Sequence, residues 1–204
     1  MTRALLISLG LLLSAACSVL SVPASQMTST PIGSSLPATP AAGSVEIRNA
    51  RLVYYTISGS SERELRAELN AESPVGYDGY KGDATTNWFI RWDWPGYGSS
   101  SCDLSKATVS YDVIVTFPRW TPPDDAPPEL VAKWNRFTRA LAEHEQNHVD
   151  FVVANYPSVL DAIRSATCDT ADAAASSALE PIRKLDRDDD AETNHGETEG
   201  VRFP

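Results

Sequence analysis

Between residues 130 and 151, Leu130, Trp134, Phe137, Leu141, His144, His148 and Phe151 follow one another in steps of four and three. That spacing describes one face of a helix, so it predicts a long helix whose buried stripe carries two histidines. Pro127-Pro128-Glu129 supplies the start, because proline is tolerated in the first turn and an acid there opposes the helix dipole. Pro157 supplies the stop. Upstream the period changes to two. Trp88, Ile90, Trp92 and Trp94 alternate with Phe89, Arg91 and Asp93, and Val109, Tyr111, Val113, Val115 and Phe117 alternate ahead of Pro118. These runs predict two half-buried strands pairing antiparallel, their aromatic stripe belonging to the core.

Weaker signals fill in the rest. Val53, Tyr55 and Ile57 alternate within 45–57 and predict another strand. Ser61-Glu62-Arg63-Glu64 has capping-box form, and Leu65 with Leu69 extends it into a short amphipathic helix reaching Ser73. Pro74, Gly76, Gly79 and Gly82 mark a loop. Val159, Leu160 and Ile163 predict a short helix running towards Cys168, and the alanine-rich stretch from Ala171 to Leu185, interrupted by Pro181, predicts a further one.

The N-terminal residues follow another rule. Residues 1–24 combine Thr2-Arg3, an apolar run from Ala4 to Leu13 and small residues, the form of an export signal and too short for a spanning helix. Two processing points fit: before Cys17, which would then be the lipidated first residue of a bacterial lipoprotein, or after Ala24, giving a soluble exported chain. Residues 25–44 are rich in Ser, Pro, Ala and Thr without a hydrophobic period and predict a flexible linker. Residues 45–204 then form one domain. With Cys17 assigned to the signal or the anchor, Cys102 and Cys168 remain as an even pair, which an oxidising compartment joins as a disulfide; two buried thiols are the alternative.

Charge removes one class of partner. The chain has 27 acidic and 17 basic residues, a formal net charge of −10, the wrong balance for neutralising nucleic-acid phosphates. Much of the acid lies around 186–190, which reads as a polar tail. Neither a glycine-rich phosphate loop nor a Gly-x-Ser-x-Gly elbow is present, which argues against nucleotide enzymes and serine hydrolases.

The two histidines of the helical stripe belong to His144-Glu145-Gln146-Asn147-His148, a His-Glu-x-x-His pattern. Four residues apart on one helix face, two imidazoles can share a metal ion, and Glu145, about 100° round the helix, stands where it can take a proton from an activated water. Such patterns also arise by chance. Burial separates the cases, because two core-facing imidazoles need partners for their nitrogens and a shared ion satisfies both. A catalytic zinc has three protein ligands and one open position. For the third, composition leaves His195, the remaining histidine of the chain, and Glu180, from a following helix; His195 is equally a bystander in a polar tail. Asp190 and Asp150 are candidates for orienting a ligand imidazole from behind.

The Trp-rich strand, Cys102, Pro118-Arg119-Trp120, the His-Glu-x-x-His pattern and the terminal Asp190-x-x-Thr193-x-His195-Gly196-x-x-x-Gly200 together resemble a bacterial family of unknown function described as predicted secreted zinc-dependent proteases. The resemblance covers residues 45–204. It implies that the terminal pattern is functional and makes His195 the third ligand beside His144 and His148. Two positions depart from the family pattern: Asp189, where an aromatic residue is common, and Glu143, a charge directly before the motif. The resulting expectation is an α+β, zincin-like fold with a small antiparallel sheet packed on a long motif-bearing helix and further C-terminal helices. Its function would be that of an exported zinc metallohydrolase, a peptidase acting on peptide or protein substrates with Glu145 as base. A non-catalytic zinc-binding envelope protein and a cell-wall amidase are the alternatives. No nucleic-acid partner is expected, and membrane attachment would run through a lipidated Cys17.

Overall fold

A computed structural model describes residues 45–76 and 79–204; the expected export signal, Cys17 and the expected linker lie outside the described residues. Strand β1 (Arg51–Ile57) leads into helix α1 (Glu62–Glu72). The helix begins where its capping residues predict. Ser61 Oγ accepts the Glu64 N–H at 3.3 Å, while the Glu64 carboxylate turns back one residue further than a capping box requires, accepting the Ser60 N–H at 2.8 Å. Leu65 and Leu69, one turn apart, are completely buried.

Strand β2 (Thr85–Asp93) and strand β3 (Thr108–Trp120) pair antiparallel, with Trp88 opposite Val113 and Trp92 opposite Val109. The sheet as a whole is mixed. Strand β1 runs parallel to β3, Leu52 opposite Val115 and Tyr54 opposite Phe117, so the order is β1-β3-β2. Parallel pairing needs a long crossover, and α1 with β2 provides it. Strand β3 is therefore the central strand, which accounts for the near-complete burial of Val113, Val115 and Phe117. Pro118 does not end β3; it stays in register opposite Tyr55, and the strand closes at Trp120, whose indole N–H donates to the Gly59 carbonyl at 3.0 Å.

Helix α2 (Pro128–Asn155) is the long helix of the four-three pattern. Leu130, Trp134, Phe137 and Leu141 are buried in the main core, and His144 and His148 continue the same buried stripe. Near its N-terminal half, Phe203 packs edge-on to Trp134 and tilted against Phe137, with ring centroids 5.5 and 5.4 Å away, and pins the C-terminal segment to this helix. Burying an aromatic of this size contributes about 1.5–3 kcal/mol.

Pro157 interrupts the helical ladder, and helix α3 (Pro157–Arg164) follows at once. The alanine-rich stretch divides into helix α4 (Ala171–Ala178) and helix α5 (Glu180–Thr193), because Pro181 fits only a first turn. A second core cluster of Trp94, Ala107, Val159, Ile163, Ala171 and Ala175 joins α3 and α4 to the far end of the β2–β3 pair. Cys102 and Cys168 form a disulfide across it. Helix α5 runs eight residues past the predicted end at Leu185 and carries the acidic run back over α2. Among the described residues no helix is long and apolar enough to cross a membrane.

Candidate metal centre

Helical spacing on α2 stacks His144 and His148 one turn apart, and α5 crosses above them with Asp186, Asp189 and Asp190 on its facing side. The His144 and His148 Nε2 atoms are 3.3 Å apart. Asp190 Oδ1 lies 3.4 Å from each. These three donors form the metal-competent group of the described residues. Four donors arranged tetrahedrally about 2.0–2.1 Å from an ion are separated by about 3.3–3.4 Å, so the triangle has the dimensions of three corners of a zinc site. Two imidazoles and a carboxylate are also the donor chemistry zinc accepts.

Each imidazole is turned towards this triangle by a partner on its other nitrogen. His144 Nδ1 meets Glu199 Oε2 at 2.9 Å, with Asp189 Oδ2 behind at 3.7 Å. His148 Nδ1 meets Asp186 Oδ1 at 3.3 Å, and the second oxygen of Asp186 accepts the Trp88 indole N–H at 2.7 Å. Carboxylates on Nδ1 fix the tautomer that leaves Nε2 free to bind an ion. Gly196 completes the packing: a Cβ there would stand 3.0 Å from His144 Cγ, and its φ of +78° lies in the left-handed region that glycine adopts freely.

Burial and charge oppose each other throughout the cluster. Burial disfavours a charged His148, but its hydrogen bonds to Asp186 and Asp190 and the field of Glu145 outweigh it and lift its pKa to about 10. Burial likewise pulls His144 down, and contact with Asp190, aided by Glu145 and Glu199, raises it overall. Asp190 is held well below the usual carboxylate range; its contacts with His144 and His148 overcome its own desolvation. Burial pushes the Asp189 carboxyl up.

Glu145 is 4% exposed and its Oε2 accepts the Thr86 hydroxyl at 2.6 Å. Burial pushes its carboxyl up, against the pull of His148 and the Thr86 bond. It borders, with both histidines and Asp190, a cavity of about 1160 Å³ that residues 84–88 of β2 and the loop before it also line.

His195 also lines this cavity. Its Nδ1 lies 3.4 Å from Asp190 Oδ1, and its ring is stacked on Tyr80. Asp150 lies away from the cluster, exposed and accepting the Gln146 amide at 2.8 Å. Glu180 is exposed at the start of α5, paired with Arg187 at 2.6 Å. The residues that sequence patterning passes over are Asp186, Asp189, Glu199, Trp88 and Thr86. Only the first two left a trace, because positions 182, 186, 189 and 193 keep a helical spacing through the acidic run.

No curated protein and no solved structure matches the chain. Residues 52–196, well over half of the chain and including His144, His148, Asp190 and His195, match the family described as bacterial protein of unknown function (DUF922), and the chain belongs to that family.

Proposed function

We propose that the chain is an exported zinc-dependent metallohydrolase that cleaves peptide bonds. The observation that carries this reading is the triangle of His144 Nε2, His148 Nε2 and Asp190 Oδ1, with sides of 3.3–3.4 Å, at the edge of a cavity that also holds the Glu145 carboxylate. A zinc ion bound there would polarise a carbonyl group and acidify a water molecule. Glu145 supplies the base. Thr86 occupies Oε2, so Oε1 takes the proton of the attacking water and returns it to the departing amine. Asp186 and Glu199 keep the two imidazoles aimed. A peptide suits the cavity because its wall is strand β2, an edge of the sheet, and an extended chain can add to an edge by main-chain hydrogen bonds.

The test combines metal analysis with turnover. Purified protein is expected to hold one zinc per chain and to cleave a denatured protein or a peptide library. Glu145→Gln is expected to keep the zinc and to lose at least about 100-fold in rate, the usual contribution of a positioned acid–base group. A zinc-loaded protein that cleaves no peptide would make the site a binding site only, and digestion confined to peptidoglycan would make the chain a cell-wall amidase.

A further inference from the structure

His195 touches Asp190 twice. Its backbone N–H donates to the Asp190 carbonyl at 2.8 Å, and its Nδ1 stands 3.4 Å from Asp190 Oδ1, the oxygen that faces both Nε2 atoms. Yet His195 is not part of the set of donor atoms lying within 4.8 Å of one another. The ring is held elsewhere. It lies parallel to the Tyr80 ring, with centroids 3.7 Å apart and planes 5° from coincidence. The backbone around it is left-handed at three successive residues, with φ of 52° at Asn194, 54° at His195 and 78° at Gly196. A side chain on such a tight, stacked turn has little freedom to swing.

A carboxylate oxygen has two lone pairs, so Asp190 Oδ1 can serve an ion with one and receive an imidazole N–H with the other. At 3.4 Å the imidazole stands in close polar contact with that oxygen, just beyond the usual N–H···O length. Resting on the metal reading above, we propose that His195 is a positioning residue for Asp190 and not a metal ligand. It holds the carboxylate at the corner shared with His144 and His148, and Tyr80 fixes the imidazole that does so. The terminal Asp190-x-x-Thr193-x-His195 pattern then consists of one ligand and its support. Thr193 belongs to the same turn, since its hydroxyl accepts the Gly196 N–H at 2.9 Å.

The experiment uses the full chain with zinc and with cobalt(II) as probes, comparing wild type with His195→Gly and His195→Asn. Glycine keeps the left-handed backbone and removes the side chain; asparagine tolerates that backbone and offers an amide N–H. The expected result for His195→Gly is one equivalent of metal at saturation, an affinity lower by about 10–100-fold, and visible cobalt bands at the wild-type positions. His195→Asn is expected to recover most of the affinity. Less than one equivalent at saturation, shifted cobalt bands, or an asparagine variant no better than the glycine variant overturns the positioning role. Wild-type protein that takes up no metal overturns the metal reading and this proposal together, so the two failures are distinguishable.

Discussion

Trp88 donates its indole N–H to Asp186 at 2.7 Å, and the other oxygen of that carboxylate faces His148 Nδ1. A strand, a helix and an imidazole of the donor triangle are thereby joined in one line. Trp88→Phe keeps the ring and removes the donor. Losing a hydrogen bond to a charged acceptor costs about 1.5–3 kcal/mol, so zinc affinity should weaken at least about tenfold while the fold is kept. Competition with a chromophoric chelator measures this; an unchanged affinity would show that Asp186 needs no anchor.

Gly196 should tolerate no side chain. An alanine Cβ would meet Val201 Cγ2 at 2.6 Å and His144 Cγ at 3.0 Å, on a backbone with φ of +78°. The left-handed backbone alone costs about 1–2 kcal/mol, and the crowding displaces the His144 ring. Gly196→Ala is expected to lower both Tm and zinc affinity. Gly200→Ala is the control: its Cβ would meet only Ala140 at 3.9 Å, at a φ of +96°, so it should lower Tm and leave zinc affinity unchanged.

Protons and metal compete for the same nitrogens. His148 is raised to about 10, so near pH 7 its metal-free imidazole holds a proton that an ion must displace, and the upward shift of His144 acts in the same direction. Zinc uptake should release about one proton or more and tighten as pH rises. Calorimetry in buffers of different ionisation enthalpy reads the number directly.

The same raised pKa has a consequence for the metal-free fold. The folded value of about 10 lies above the ordinary histidine value of about 6.5. The stability contributed by His148 is thus complete below about pH 6.5 and is lost as pH climbs through about 10. Urea midpoints of metal-free protein should fall between pH 7 and 10. A flat profile would mean that the imidazolium is not held by Asp186 and Asp190.

The Cys102–Cys168 bridge closes a separation of 66 residues, worth about 4 kcal/mol in the chain-entropy picture. Replacing both cysteines by alanine should lower Tm by roughly 10 °C. Zinc stoichiometry below that temperature should be unaffected, because the bridge belongs to the cluster around Val159 and Ile163 and not to the histidine side of the core.

What could be read from the residues was whatever hydrophobicity encodes. The seam of α2, with its two histidines, follows from apolar spacing, and so do β2 and β3, while the start of α1 follows from its capping residues. The part of α5 beyond Leu185 escaped because its inward face is Asp186, Asp189 and Asp190 following a single fully buried apolar residue, Ile182. Those half-buried carboxylates are held there by pairing with imidazoles on another helix, a long-range interaction that no local period reports. The parallel partnership of β1 with β3 is hidden for a related reason: alternation along β1 says which side chains face inward, not which strand lies alongside. Val53, 36% exposed, shows that even the inward side was only partly legible there.

The centre draws on segments that leave the ribosome well apart. Helix α2 is complete at Asn155, and Asp190 follows 190 − 155 = 35 residues later. A growing chain that has reached only Asn155 possesses the histidine pair without its carboxylate or the supports from Asp186 and Glu199. The three-donor triangle therefore exists only once α5 has folded back over α2, and a chain truncated before Asp190 is expected to lack it.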